Sequence, residues 1–140
     1  MSNMVQTIPL AASAERTTSG SGTAQKVPLG KRIAVLFDAT ALDTAAGDKL
    51  DVYVDFSLDG DKWYNGCHFT QVVGTGLAVT EWAIFDPSNP ATTTLNVTSD
   101  CASGVVRPST FGCYIRERHV VTSADTPKFT YSVAAQVQKF

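Results

Sequence analysis

Residues 50–73 read LDVYVDFSLDGDKWYNGCHFTQVV, a pattern that predicts a β-hairpin. In the first half, apolar side chains alternate with polar or amphipathic ones, as in a strand with one buried face. The apolar set is Leu50, Val52, Val54 and Phe56. Asp59-Gly60 supplies the turn, because glycine adopts the positive φ that tight hairpin loops need. A two-stranded ribbon is marginal in water by itself, so other strands must cover its apolar face.

Further strand patterns flank the hairpin on both sides. Residues 33–39 (IAVLFDA) form a short apolar run, typical of a strand buried on both faces, and residues 129–138 alternate apolar and polar side chains. Weaker patterns lie at residues 77–85, 92–97 and 111–122. Loops are expected at residues 40–49, 86–90 and 99–109. Seven or eight short strands at this spacing predict an all-β fold, an antiparallel β-sandwich (jelly-roll or Ig-like) over residues 27–140.

Residues 1–26 predict an extended N-terminal arm outside the sandwich. Residues 17–23 (TTSGSGT) are small and polar, with too little apolar surface to pack alone. Upstream apolar residues suit an extended segment that orders on a partner, and Pro9 suits an edge rather than a central strand. The alternative is a disordered tail. The candidate partner-binding residues are Val5, Ile8, Pro9, Leu10 and Arg16.

Charge and composition narrow the functional classes. The formal net charge is −2, with 13 acidic residues against 11 Lys and Arg, and no basic stripe that would favour nucleic acid. No apolar run approaches the roughly 20 residues of a membrane-spanning helix, and the first residues lack the pattern of a secretory signal. We therefore expect neither nucleic acid nor a membrane as a partner.

The three cysteines do not form a disulfide framework, because their number is odd and their spacing irregular. We expect reduced thiols, with a Cys101–Cys113 bridge as the alternative. The spacing of Cys and His residues also fits no zinc site, and we expect no metal or cofactor.

Candidate catalytic and binding residues each have a simpler structural interpretation. His68 and His119 lie in no recognisable catalytic motif, so we expect surface strand residues rather than bases. The acidic turn at residues 55–61 matches no complete calcium loop and is better explained as turn chemistry, resembling a shortened Asp-box. Aromatic residues could form a sugar-stacking platform or fill the core. They are Tyr53, Trp63, Tyr64, Trp82 and Tyr131. Arg116-Glu117-Arg118 fits either a subunit contact or a solvated strand face.

Three stretches resemble small virion proteins of tailed bacteriophages. The first is the arm, with Ile8-Pro9-Leu10 and Ala14-Glu15-Arg16-Thr17 before its Ser/Gly-rich part. The second is residues 50–64 (LDVYVDFSLDGDKWY), followed by residues 68–72 (HFTQV). The third is Tyr114-Ile115-Arg116, followed later by residues 129–133 (FTYSV).

The resemblance implies a β-sandwich with a non-enzymatic, structural role in the virion. It implies a capsid decoration (cement) protein first, and a tail or head–tail connector component as the alternative. The implied partners are the major capsid protein or other virion proteins, and further copies of the chain in a homo-oligomer. The implied location is the virion, assembled in the host cytoplasm. Residues 86–109 depart from the pattern, and we expect an insertion that contacts neighbours. A carbohydrate- or receptor-binding module remains the alternative from a different class.

Overall fold

The computed structural model describes residues 5–41, 47–74, 76, 78–88, 96–122 and 127–139. These residues form eleven strands and no helix. The strands are β1 (Val5–Arg16), β2 (Gly20–Ser21), β3 (Gln25–Lys26), β4 (Arg32–Ala41), β5 (Lys49–Ser57), β6 (Tyr64–His68), β7 (Val72–Val73), β8 (Val79–Phe85), β9 (Val105–Val106), β10 (Tyr114–Thr122) and β11 (Phe129–Gln138). None of the described segments is a helix long and apolar enough to cross a membrane.

The strands make two antiparallel sheets packed face to face, so the predicted β-sandwich is confirmed. Sheet 1 has the order β1-β11-β4-β8. Sheet 2 has the order β2-β10-β5-β6-β9, with β3 added to β10 and β7 added to β5. The chain passes several times between the two sheets, so most neighbouring strands within each sheet come from distant parts of the sequence, the β5–β6 hairpin excepted.

The core lies between the two sheets and follows from the alternation of the strands. In β11, Phe129, Tyr131 and Val133 point inward and are at most 1% exposed. They meet Phe37 from the same sheet and Phe56 from the other. Each fully buried side chain of this size contributes about 1.5–3 kcal/mol of hydrophobic stabilisation, which offsets the entropy lost on ordering the strands.

The predicted hairpin is present as β5 and β6. Gly60 in its turn has φ 82°, the left-handed conformation that favours glycine. The register shifts by one residue after Val54, and Gly66 lies in this bulge. A Cβ atom on Gly66 would lie 2.9 Å from the Phe85 ring, so the close packing of the sheets requires glycine there.

One prediction about the hairpin is wrong, because β5 is buried on both faces. Asp51, Tyr53, Asp55 and Ser57 were expected on a solvent face, yet none is more than 9% exposed. Residues 99–107 cover this face, with hydrogen bonds from Cys101 and Arg107 to Asn65 on β6. Part of the expected loop at 99–109 is the strand β9, which pairs with β6.

The predicted N-terminal arm is also corrected. Residues 5–16 form β1, the edge strand of sheet 1, paired with β11 of the same chain. Ile8, Leu10 and Ala11 are buried in the core, because the inner edge of β11 offers them an apolar surface. Residues 20–26 continue along sheet 2 as β2 and β3. The segment is therefore part of the sandwich.

Two predictions fall partly outside the described residues. The strand expected at 92–97 overlaps residues 92–95, which are not described, and residues 96–97 are not in a strand. The loop expected at 40–49 overlaps residues 42–46, which are likewise not described, while residues 40–41 belong to β4 and residue 49 to β5.

Candidate functional site

A row of apolar side chains crosses the outer face of sheet 1 from edge to edge. Its members are direct register partners on successive strands: Trp82, Leu36, Ala134 and Pro9. We call these four residues the apolar row. Directly paired residues share a face of the sheet. Trp82 is 59% exposed, and Ile84, two residues along β8, is 42% exposed. A large exposed indole in a row of apolar side chains is typical of an interaction surface.

The strand that carries Trp82 is an edge of sheet 1. β8 pairs with β4 in one uninterrupted register and contains no proline, and its one charged residue, Glu81, accepts hydrogen bonds from Thr70. Native edges are commonly protected by proline, by charge or by bulges. The opposite edge, β1, has Pro9 and two register shifts. Of the two edges of sheet 1, β8 is therefore the more regular.

A second apolar surface lies at one end of the sandwich. Leu29 is 93% exposed and Leu58 is 67% exposed. Both line a pocket of ≈ 350 Å³ together with Phe111 and Cys113. This end is separate from the apolar row, which lies on the outer face of sheet 1.

The outer face of sheet 2 carries a polar network around the buried Asp55. The Asp55 carboxylate accepts hydrogen bonds from Arg116 Nε at 3.2 Å, Arg118 Nε at 2.9 Å and Asn65 Nδ2 at 3.1 Å. Arg118 Nη2 also donates to Asp100 at 2.6 Å. Burial alone would lower the pKa of Arg118, but the bonds to Asp55 and Asp100 outweigh it and raise that pKa. We call these five residues the Asp55 network. Of the two alternatives for Arg116-Glu117-Arg118, the solvated strand face is therefore wrong, and the subunit contact stays a prediction.

Aromatic rings stack against the cations of this network. The Arg116 guanidinium lies 4.3 Å from the Trp63 ring centre, and that of Arg118 lies 4.1 Å from Tyr53. Tyr53 stacks in turn on His68 at 4.3 Å. Burial, followed by the charge of Asp51, raises the pKa of Tyr53. The rings are occupied by contacts within the chain and rigidify this face.

His68 is a buried cross-link, and the expectation of a surface residue is wrong. Its Nε2 lies 2.8 Å from Asp51 Oδ1, and its Nδ1 lies 3.0 Å from the Cys101 carbonyl oxygen. Both partners are acceptors, so each ring nitrogen lies within hydrogen-bond distance of an oxygen atom. Gln71 Nε2 donates to the same Asp51 carboxylate. With both ring nitrogens engaged, His68 joins the hairpin to residues 99–107.

His119 is likewise buried and belongs to a cluster around Glu117. Glu117 is 0% exposed. Its carboxylate accepts hydrogen bonds from Tyr131 Oη at 2.5 Å, His119 Nδ1 at 2.8 Å and the Gly22 backbone N–H at 3.0 Å. We call these four residues the Glu117 cluster. Burial and the nearby Glu117 carboxylate raise the pKa of Tyr131. Arg16 stacks over the Tyr131 ring at 4.2 Å and donates to the Tyr131 carbonyl.

The acidic turn has the turn chemistry expected from the sequence. Asp59 Oδ1 accepts hydrogen bonds from the backbone N–H groups of Asp61 and Lys62 and from the Ser57 hydroxyl. The two backbone bonds do most to lower the pKa of Asp59. Asp55, at the start of the turn sequence, is taken up by Arg116 and Arg118. Within the described part of the chain, no group of three His, Cys, Asp or Glu residues could hold a metal ion.

The candidate partner-binding residues divide between core and surface. Ile8 and Leu10 are buried in the chain's own core. Arg16 is half-buried against Tyr131. Val5 and Pro9 are exposed, and Pro9 belongs to the apolar row.

The aromatic set is not gathered into one platform. Tyr131 is in the core and Tyr53 is buried under Arg118, whereas Trp63 stacks on Arg116 of sheet 2 and Trp82 lies on sheet 1.

All three cysteines are free thiols, with Cys67 and Cys101 buried and Cys113 exposed.

Sequence reasoning missed both buried clusters for different reasons. Alternation from Ile115 places Glu117 and His119 on the inner face, so the Glu117 cluster could have been found. Burial of Asp51 and Asp55 depends on the distant residues 99–107, for which the hairpin sequence contains no signal.

Comparisons of the chain with protein-family models, with curated proteins and with solved structures gave no match. The functional argument therefore depends on the geometry and on the stretches of sequence described above.

Proposed function

We propose that this chain is a non-enzymatic structural protein of a tailed-bacteriophage virion, and specifically a capsid decoration protein. The observation that carries the proposal is the apolar row, which ends in the exposed Trp82 on the edge strand β8. The resemblance of residues 50–64 to small virion proteins supports the same role. The partner would be the major capsid protein or another virion protein.

The side-chain contacts within the sandwich suit a rigid structural protein better than an enzyme. On sheet 2, polar and aromatic side chains are engaged with each other, as in the Asp55 network and the His68 cross-link. Fully satisfied buried networks rigidify a structure. A rigid sandwich with an apolar outer face on sheet 1 can bridge neighbouring subunits. Repetition over a lattice strengthens weak contacts through effective concentration.

Sedimentation of the purified protein with decoration-free phage heads tests the proposal. We expect wild-type protein to pellet with heads, and Trp82→Ser to lose most of the bound fraction because the indole is the large exposed side chain of the apolar row. Val120→Thr is the matched control, since Val120 is 37% exposed on sheet 2, away from the apolar row. Purified tails assayed in parallel distinguish a head protein from a tail or connector component.

The result that contradicts the docking surface is equal binding by wild-type and Trp82→Ser. Circular dichroism of both variants must first show wild-type strand content, which is expected because Trp82 packs outside the core. Absence of binding to heads and to tails alike would reject the virion role itself.

A further inference from the structure

Strand β1 is a separable unit at the edge of the sandwich. Among the described strands, β1 pairs with β11 alone. Only Ile8, Leu10 and Ala11 are buried along its twelve residues, and its pairing is interrupted by two register shifts. The side-chain anchor at its end, Arg16, bonds to β11 and to β1 itself. Such an element can open without disturbing the remaining strands.

The chain that follows β1 is fastened independently to sheet 2. The Gly22 N–H donates to the Glu117 carbonyl at 2.9 Å and to its carboxylate at 3.0 Å. Further along, Val27 N donates to the Cys113 carbonyl at 2.8 Å. Opening at residues 17–18 would therefore release β1 alone and leave an apolar slot along β11.

The connection between β1 and β2 is short, with three residues, Thr17, Thr18 and Ser19. It joins the edge of sheet 1 at Arg16 to the edge of sheet 2 at Gly20. Four Cα steps span at most about 14 Å, and packed sheets lie about 10 Å apart. The crossing therefore uses most of the available length, and short hinge loops favour exchange of the element that they connect. All three residues are exposed, and the Ser19 hydroxyl accepts a hydrogen bond from the Val121 N–H at 2.9 Å, so the chain is fastened to sheet 2 from Ser19 onward.

We propose that two copies of this chain exchange β1, each laying Val5–Arg16 along β11 of the other. Every contact of the closed form is kept, with Ile8 and Leu10 of one copy in the core of the other and Arg16 over the other copy's Tyr131. Exchange of an identical element is a low-cost route to a symmetric dimer. Strand exchange needs only copies of this chain, so it is independent of the virion role.

Single-cysteine variants distinguish the exchanged form from the closed one. Thr7 and Gln136 are exposed register partners on β1 and β11, at a separation that a disulfide can close. Thr7→Cys and Gln136→Cys are made in separate chains, both with Cys113→Ser, then co-refolded and oxidised. Exchange predicts a disulfide-linked dimer with one chain of each kind as the main product.

The control uses Arg32→Cys and Gln138→Cys in separate chains, since these residues pair between β4 and β11, which do not exchange. Arg32 is exposed and Gln138 is half-buried, so linking of this pair measures random collision between surface cysteines. The double variant Thr7→Cys/Gln136→Cys closes its disulfide in either form. Two results together would overturn the proposal. The double variant would form its disulfide within a monomer, and the two single variants would form no more disulfide-linked dimer than the control pair.

Discussion

Replacement of Glu117 by glutamine tests whether a buried carboxylate fastens the start of the chain to the core. The carboxylate is 0% exposed and accepts bonds from Tyr131, His119 and Gly22. Glutamine keeps the shape but removes the charge and one acceptor oxygen. The glutamine amide can take two orientations. In one, its NH₂ group faces the Gly22 N–H donor; in the other, it faces the Tyr131 and His119 donors.

The magnitude follows from the number of charge-assisted bonds. A hydrogen bond to a charged group contributes about 1.5–3 kcal/mol, against about 1 kcal/mol for a neutral one. Three such bonds weaken in Glu117→Gln, while the cost of burying the charge is removed. We expect the free energy of unfolding to fall by about 3 kcal/mol, close to the low end of about 3–5 kcal/mol for breaking a buried charged pair.

Urea denaturation followed by tryptophan fluorescence measures this change. Glu15→Gln is the control, because Glu15 is exposed on β1 and its substitution should alter stability by less than about 0.5 kcal/mol. The reasoning is refuted if Glu117→Gln unfolds at the same urea concentration as Glu15→Gln with an equal slope. Tyr131→Phe then tests the cluster further, since its effect should not add to that of Glu117→Gln.

Three further predictions concern titration and thiol reactivity. Asp59→Ala should destabilise the protein at neutral pH, and its difference in stability from wild type should shrink as the pH falls below 3.8. The reason is that the pKa of Asp59 is lowered in the folded protein, so its carboxylate stabilises the fold above that pH and loses this effect on protonation. Acid titration of both proteins, followed by circular dichroism, measures the difference. The raised pKa of Tyr131 predicts loss of stability above pH 10, where the unfolded chain ionises first, and Tyr131→Phe should reduce that loss in alkaline urea titrations. Of the three thiols, Cys113 should react alone with Ellman's reagent in the folded protein, and the two buried cysteines only after unfolding.

The sandwich could be predicted because alternation is a local signal. The inner face of β11 is indicated within five residues by Phe129, Tyr131 and Val133. The hairpin turn is indicated by Asp59-Gly60. Both features depend on neighbours in the chain, and both are present in the structure.

The place of β1 could not be predicted in the same way. Its partner β11 lies at the other end of the sequence, and Ile8 and Leu10 fit an arm or an edge strand equally well. The burial of Asp55 likewise depends on Arg116 and Arg118 arriving from β10. Alternation shows which residues share a face, but not what covers that face.

The apolar row could be identified only from the register. Pro9, Leu36, Trp82 and Ala134 are scattered in the sequence, and each is unremarkable alone. Three strand pairings bring them into line across sheet 1. An interaction surface of this kind therefore becomes visible with the sheet order.

The most direct test of the virion role is a binding isotherm of the purified protein on decoration-free phage heads, read by quantitative sedimentation. A decoration protein predicts saturable binding, with a number of bound copies that matches a class of symmetry-related sites on the head lattice. Binding that is absent, or that rises without saturation, would contradict the role proposed for this chain.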